Sequence, residues 1–557
     1  MTNFNFNNFN QSKDTYQSPF KRSVTPKRKP FIITTILAIL VLAVIIYVVH
    51  PPFNWHSQAF IFYLILIGAF LLVEFTTANL CSLINPKIYK GFTKFLTIFA
   101  ILAFVVIFVS TILTSQMFNA KEYYNRIQVE DVEFNEIDEV DFTKTPIIDR
   151  NSTIALGDRV MGQMPELVSQ FEVSTDYTQI SYKDSVYRVT PLEYADVLKY
   201  FLNRDEGIPA YITVDSTTGE AELVKLKDLG LDGMKYVPSA LFNENLQRKL
   251  QLDYPTKIFG APSFEIDEDG HPWYVCTTYT FKAMGTKRMV DGVVLFDPIT
   301  GDSTYFDDPL KAPEWVDRIY PESLVMEEVT NHGSLKDGYI NSVFGQKNVY
   351  LPSDGYNYLE KDGDIWIYSG LTSANSDAAN LGFILVNLRT HEAMQIASAG
   401  ADEYSAMNSA EGNVKNFGYR ATFPLLVNVK DRPVYLMALK DDAGLIKMYA
   451  MVDATDYQKV ASVTIDEGLE ALKMQFLKGD IGSINNDELK TASIEIAEVR
   501  YLVVENNTKV FIKDTEGKEY KISINNKNED KVAFLNVGDK LNISYLEASI
   551  NNIVEIK

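Results

Sequence analysis

The sequence predicts a membrane anchor of three α-helical spans. An extracytoplasmic α+β region follows, made of tandem antiparallel-sheet modules and a small OB-like β-barrel at the C-terminus. Three observations carry that prediction. Long apolar stretches crowd into the first 117 of 557 residues, a pair of strand motifs recurs four times between 170 and 479, and five short alternating strands follow residue 480. The expected order is a basic cytoplasmic tail (1–30), three spans (31–117), an acidic stalk and linker (118–169), about four diverged repeats (170–479) and the barrel (480–557).

Composition sets the outer limits. Hydrophobic residues make up 46% and charged residues 22%, enough apolar side chain for packed cores and too much for a disordered or collagen-like chain. Two cysteines cannot form a disulfide framework. A net charge of −21 argues against a protein that binds nucleic acid by neutralising phosphates.

The apolar stretches run from Phe31 to Val49, from Ala59 to about Leu80 and from Phe95 to about Met117. At a rise of about 1.5 Å per residue, each is long enough to cross a hydrocarbon core about 30 Å thick. Lys13, Lys21, Arg22, Lys27, Arg28 and Lys29 precede the first span against one acid, Asp14. Lys87, Lys90 and Lys94 follow the second, whereas the loop from His50 to Gln58 has no Lys or Arg. The positive-inside rule then makes the N-terminus and second loop cytoplasmic and everything after about residue 118 extracytoplasmic. The tail carries +5 and residues 31–118 carry +2, leaving −28 for residues 119–557. Solubility is the plain meaning of that charge. Glu74 is the ionisable residue deep in a span, which makes it a candidate contact to a membrane partner or a bond within the bundle.

Beyond the spans, an acidic segment from Glu122 to Asp141, alternating over Val129 to Phe134, reads as a stalk leading into a first strand, and Ala155 to Met161 as a short helix. A hairpin motif then appears four times. Its flanks are β-branched or aromatic, and its turns fall at Lys183-Asp184, Asp269-Gly270, Asp362-Gly363 and Asp431-Arg432-Pro433. Each hairpin is trailed by a second motif, an apolar strand ending in Asp or Asn before a turn, with that residue at 215, 297, 387 and 453. A side-chain oxygen there can cap the turn through its own backbone, and Gly219 and Gly301 can take a positive φ. Helical spacing at Pro191 to Leu202, Pro238 to Leu250, Pro313 to Val316 and Glu467 to Leu477 predicts connecting helices, hence α+β modules.

The stretch Val214-Asp215 to Gly219-Glu220, with its partner Phe296-Asp297 to Gly301-Asp302, resembles the PepSY module of exported and membrane-anchored bacterial proteins, over about residues 170–465. The resemblance implies a largely non-enzymatic module with a binding or regulatory role in the cell envelope, in some cases toward envelope peptidases.

In the last segment, strands at Ile494 to Val504, Lys509 to Lys513, Glu519 to Ile524, Lys540 to Tyr545 and Ile550 to Ile556 alternate cleanly, as in a small barrel of the OB kind. Few aromatics and no basic stripe argue against an oligonucleotide platform.

No motif for catalysis or metal binding is found. H-x-x-x-H, C-x-x-C, G-x-S-x-G and the P-loop pattern are absent, and Cys276 reads as a buried thiol on a strand. No cofactor is expected. Trp273 and Trp366 at equivalent hairpin positions, with the acids Glu265, Asp267 and Asp269, form the candidate binding surface for an envelope protein or cell-wall polymer. Repeated core packing is the plainer account of the tryptophans. The expectation is a multi-pass protein bound to the lipid bilayer that acts by binding, regulation or scaffolding. Its rivals are an exported hydrolase of cell-wall polymer using paired carboxylates, and an accessory subunit of a membrane transport or secretion complex.

Overall fold

The computed structural model describes residues 28–183, 185–283, 285–374, 379–478, 490–504, 507–524, 529–546 and 550–556. Most of the basic tail and the turn residues Asp184 and Asn506 lie outside these.

Three helices, α1 (Arg28–Val49), α2 (Gln58–Leu80) and α3 (Pro86–Leu113), are long and apolar enough to cross a bilayer. Their side chains face outward, as lipid as a solvent requires. The third starts earlier than its apolar run. Asn85 caps it by accepting from Lys87 N at 2.9 Å, and Pro86 occupies the first turn. It stops at Leu113, and a separate helix, Gln116–Tyr124, follows.

The segment expected to be a stalk is built into the β-rich region instead. Strand β1 (Val129–Val132) pairs in parallel with residues Ala393–Ile396, and Val140 N donates to Asn428 O at 2.9 Å. Ile127 is fully buried beside it, so the apolar face of the alternating segment, and not its charge, sets its position.

Four antiparallel sheets with one plan come next. The first has β2 (Phe171–Val173), β3 (Thr178–Tyr182), β4 (Ser185–Tyr194), β5 (Ala210–Asp215) and β6 (Ala221–Lys225). The second has β7 (Ile258–Phe259), β8 (Ser263–Ile266), β9 (Pro272–Ala283), β10 (Thr286–Phe296) and β11 (Ser303–Phe306). In the third are β12 (Tyr350–Pro352), β13 (Asn357–Lys361), β14 (Asp364–Ser373), β15 (Ala379–Asn387) and β16 (Ala393–Ala401). The fourth contains β17 (Arg420–Ala421), β18 (Leu425–Asn428), β19 (Pro433–Lys440), β20 (Ile446–Asp453) and β21 (Val460–Thr464). In every sheet the third strand is the spine. The hairpin strand before it covers its N-terminal half, the short strand before that covers its C-terminal half, and two further strands continue the meander.

The residue at the end of the fourth strand recurs as a side-chain cap. Asp215 Oδ1 accepts from Thr217 N at 2.7 Å, Asp297 Oδ1 from Ile299 N at 2.7 Å, Asn387 Oδ1 from Arg389 N at 2.8 Å and Asp453 Oδ1 from Thr455 N at 2.9 Å. In the third sheet His391 (φ 67°) stands where the first two have Gly219 and Gly301, with the same left-handed backbone.

Two expected helices are shorter than their patterns. β4 continues through Tyr194, because Leu192 and Tyr194 pair with β2, and helix begins only at Val197–Asn203, capped by Asp196. The Pro238 to Leu250 stretch gives a 3₁₀ turn at Phe242–Glu244 and then helix Leu246–Asp253. Pro313 to Val316 is a turn closed by Val316 N to Pro313 O at 3.1 Å. Helix Gly468–Lys478 falls where expected.

The first and second sheets share one core, with Ile212, Leu226, Phe264, Cys276 and Phe296 in it. The third and fourth share another around Trp366, Phe383, Tyr435 and Phe476. Val186 of the first sheet packs with Ile365 and Ile367 of the third, joining the two pairs. Five strands then close a barrel: β22 (Lys490–Val504), β23 (Asn507–Asp514), β24 (Glu519–Ser523), β25 (Lys540–Leu546) and β26 (Asn551–Ile556). Their order is β22–β23–β24–β26–β25, with β25 returning to β22.

Candidate binding cavity between the sheets

A cavity of about 1070 Å³ opens between the sheets and takes wall residues from all four, among them Gln179, Phe264, Tyr358 and Phe423. Residues 119–557 contain twelve arginines, and four of them, Arg150, Arg188, Arg318 and Arg420, line this one space. Six acids, Asp149, Asp176, Glu193, Glu322, Asp441 and Asp442, line the same space, so what decides its character is which of these charges are paired.

Arg188 sits on the spine strand β4, where alternation turns it toward helix Arg150–Gly162. It is 5% exposed. Its Nη1 donates to Ile148 O at 2.6 Å and Thr153 Oγ1 at 3.0 Å, and its Nε donates to Gln179 Oε1 at 3.2 Å. All three acceptors are neutral. Among the described residues no carboxylate pairs with it, and its Nη2 has no hydrogen-bond partner. Burial accordingly pulls its pKa down from the usual arginine value. Gln179 Nε2 is also buried without a partner.

The neighbouring charges are paired. Lys440 Nζ lies 2.9 Å from Asp149 Oδ1, which also accepts from Ser152 Oγ at 2.6 Å. Burial acts to raise the Asp149 carboxyl, but the bonds from Ser152 and Lys440 outweigh it and hold the group below the usual aspartate range. On the opposite wall Arg318 Nε donates to Glu322 Oε2 at 3.0 Å, and Tyr358 Oη donates to Glu322 Oε1 at 2.7 Å. Burial, reinforced by the Glu322 charge, pushes the Tyr358 phenol well above its ordinary value.

The residues singled out from sequence fall in different places. Trp366 is 3% exposed in the core shared by the third and fourth sheets, and Glu265 is 0% exposed, so neither presents a surface. Glu265 accepts from Asp317 N at 2.8 Å and Ser263 Oγ at 3.1 Å. Trp273 is partly covered, donates Nε1 to Asp267 Oδ2 at 3.0 Å and lies 5.9 Å from the Trp315 ring. Asp267 caps the hairpin turn through Asp269 N and His271 N, and Asp269 is exposed. Glu74 Oε2 accepts from Thr35 Oγ1 of α1 at 2.7 Å, a bond within the bundle. Cys276 is fully buried on β9, and burial raises its thiol pKa. Among the described residues no group of three His, Cys, Asp or Glu side chains is arranged to hold a metal. The arginines of the cavity were invisible in sequence, since each sits alone in an unremarked stretch and only the packing of four sheets gathers them.

No protein-family model and no curated protein matches this chain. Among solved structures, a crystal structure of a B. megaterium levansucrase mutant aligns over 75% of this chain and 98% of its own. The identity is 10% and the TM-score 0.14, a likeness too loose to carry an argument.

Proposed function

We propose that this is a membrane-anchored, non-catalytic binding protein of a bacterial cell envelope, and that its four-sheet region takes a ligand bearing an oxyanion into the central cavity. The observation that carries the reading is Arg188, a nearly buried guanidinium with one nitrogen free and no acid paired to it. Such a group costs free energy unless a counter-charge arrives. The adjoining N-terminus of helix Arg150–Gly162 adds backbone donors, because the side chain of its cap residue Asp149 is turned to the Ser152 hydroxyl and Lys440 and accepts from no first-turn backbone amide. Phe264, Tyr358 and Phe423 supply apolar walls, the usual setting for a few placed polar groups.

The same reading takes the N-terminus as cytoplasmic and the β-rich region as extracytoplasmic, supported by the cations of the tail and second loop. A PepSY-like origin for the modules rests on the repeated Asp-capped strand pair. An OB-type barrel is favoured by the parallel pairing of β24 with β26 and by the short helix Glu529–Val532 between β24 and β25. The hydrolase alternative is weaker because Asp149 and Glu322, the well-placed acids of the cavity, are both engaged in bonds to cations and hydroxyls.

Thermal unfolding of the full chain in mild detergent, with inorganic phosphate and with acetate as probes, tests the reading. Phosphate is expected to raise the unfolding temperature of the wild type and to lose that effect in Arg188→Met, or in the exposed variant Arg150→Met should the buried one fold poorly. An unchanged temperature with both probes, or an equal rise in all three proteins, refutes it.

A further inference from the structure

We infer that the β-rich region rests on the bilayer, inserting two apolar protrusions into the lipid interface beside the helical anchor. This holds whether or not the cavity binds an anion.

The first protrusion is the short helix Val197–Asn203. Its buried side holds Tyr200, while Val197, Leu198, Phe201 and Leu202 point outward, Leu198 being 62% exposed. A helix facing water carries its apolar residues the other way round. Phe242, which is also exposed, stands with its ring centroid 6.1 Å from that of Phe201. Its carbonyl accepts from Arg248 Nη1, and Arg248 Nε in turn donates to the carbonyl of Tyr47 at 2.8 Å, with the guanidinium over the Tyr47 ring. Tyr47 lies in the last turn of α1, where that helix leaves the hydrocarbon. Phe53 N to Pro255 O (2.7 Å) and Asn54 Nδ2 to Thr256 O (3.0 Å) hold the loop between α1 and α2 to the same part of the second module. The apolar patch is thus continuous with the membrane boundary of the anchor.

The second protrusion follows helix Glu322–Leu335. Helix Gln116–Tyr124 leaves the end of α3, and Glu322–Leu335 packs across it. Arg126 Nη1 meets Glu327 at 2.5 Å at the far end, and Gln116 Nε2 meets Asn331 Oδ1 at 2.7 Å at the membrane end. Tyr124, at the other end of the kinked helix, stacks on His332 with ring centroids 4.2 Å apart, so Asn331 and His332 both lie against the segment that leaves α3. The chain then exposes Ile340, Val343 and Phe344, the last 83% accessible. Lipid is the occupant both patches fit, since the first adjoins the end of α1, the second follows a helix packed on the segment that leaves α3, and each is apolar.

The test uses the full chain in vesicles of neutral and anionic phospholipid. Nitroxide labels at Leu198→Cys and Phe344→Cys are expected to collide with dissolved oxygen in preference to a water-soluble nickel complex. A label at exposed Asp269→Cys, on the turn at the opposite end of β9 from the Thr286 contact to Thr114, should behave as in water. Both native cysteines are buried and stay unlabelled. Labels at 198 and 344 that behave like the one at 269 overturn the inference. Carbene footprinting from diazirine-bearing lipid gives a reading on the unmodified chain: modification of 197–202 and 340–344 supports the inference, and modification confined to the three spans defeats it.

Discussion

The backbone amide of Asp317 donates to Glu265 Oε2 at 2.8 Å, while the Asp317 carboxylate accepts from Ser181 N at 2.8 Å. Two fully buried acids thereby stitch the second module to the first. Burial pushes the Glu265 carboxyl up to about 7, and burial together with the Glu265 charge raises Asp317 well above the aspartate range.

Raised acids bind more protons in the folded than in the unfolded chain, so their contribution is complete at low pH and is lost as pH climbs from the ordinary glutamate value of 4.5 through about 7. The full chain in detergent should melt several degrees lower at about pH 8 than at about pH 5. Glu265→Gln should flatten that profile and raise the melting temperature at the alkaline end. A profile identical to wild type in Glu265→Gln would place the pH dependence elsewhere.

The recurring turn caps differ in what else they hold. Asp215 serves its own turn, whereas Asn387 also donates Nδ2 to buried Asp364 Oδ2 at 2.7 Å. Asp215→Ala should cost about 1 kcal/mol, and Asn387→Ala about 2 to 3 kcal/mol because it strips a partner from a buried carboxylate. Denaturant unfolding of the two variants checks the order.

Gly157 is required by its neighbour. A Cβ there would meet Tyr177 Oη at 2.0 Å, under the helix that carries the candidate site. Gly157→Ala should destabilise by about 1 to 3 kcal/mol. Adding Tyr177→Phe should recover much of the loss, since that hydroxyl is buried without a partner and its removal leaves nothing unsatisfied. Failure of the double variant to recover would indicate that the helix cannot accept a side chain at all.

Among the three long apolar helices, the bond from Thr35 to Glu74 joins α1 to α2 and leaves Glu74 Oε1 buried and without a partner among the described residues. Thr35→Val should weaken the anchor by about 1 kcal/mol, read as a lower melting temperature in detergent. No change would mean that Glu74 serves another helix.

Period and punctuation made the architecture legible. Apolar runs long enough for a bilayer, Asp-Gly turns between β-branched flanks and four equivalent Asp or Asn positions are local facts, and local backbone preferences act on them directly. The same locality misled at Pro191 to Tyr194, where helical spacing yielded to pairing with β2. At Val129 to Val132 the alternation marked a strand, but its partner, Ala393 to Ile396 far along the chain, was not written there. Equivalent positions did not imply equivalent exposure either, since Trp366 packs into a shared core while Trp273 reaches the hairpin turn to bond Asp267.

By itself the sequence determined the number of long apolar helices, the repeating unit and the acidity of the region after them, because hydropathy, turn chemistry and charge are written residue by residue. Only the tertiary structure decided which charges lose water and which keep it. It buried Glu265 beside Asp317, left Arg188 facing a cavity with a nitrogen to spare, and left Leu198 and Phe344 exposed. Solvation depends on what packs against a side chain from far along the chain, and that is set only when the four sheets close on one another.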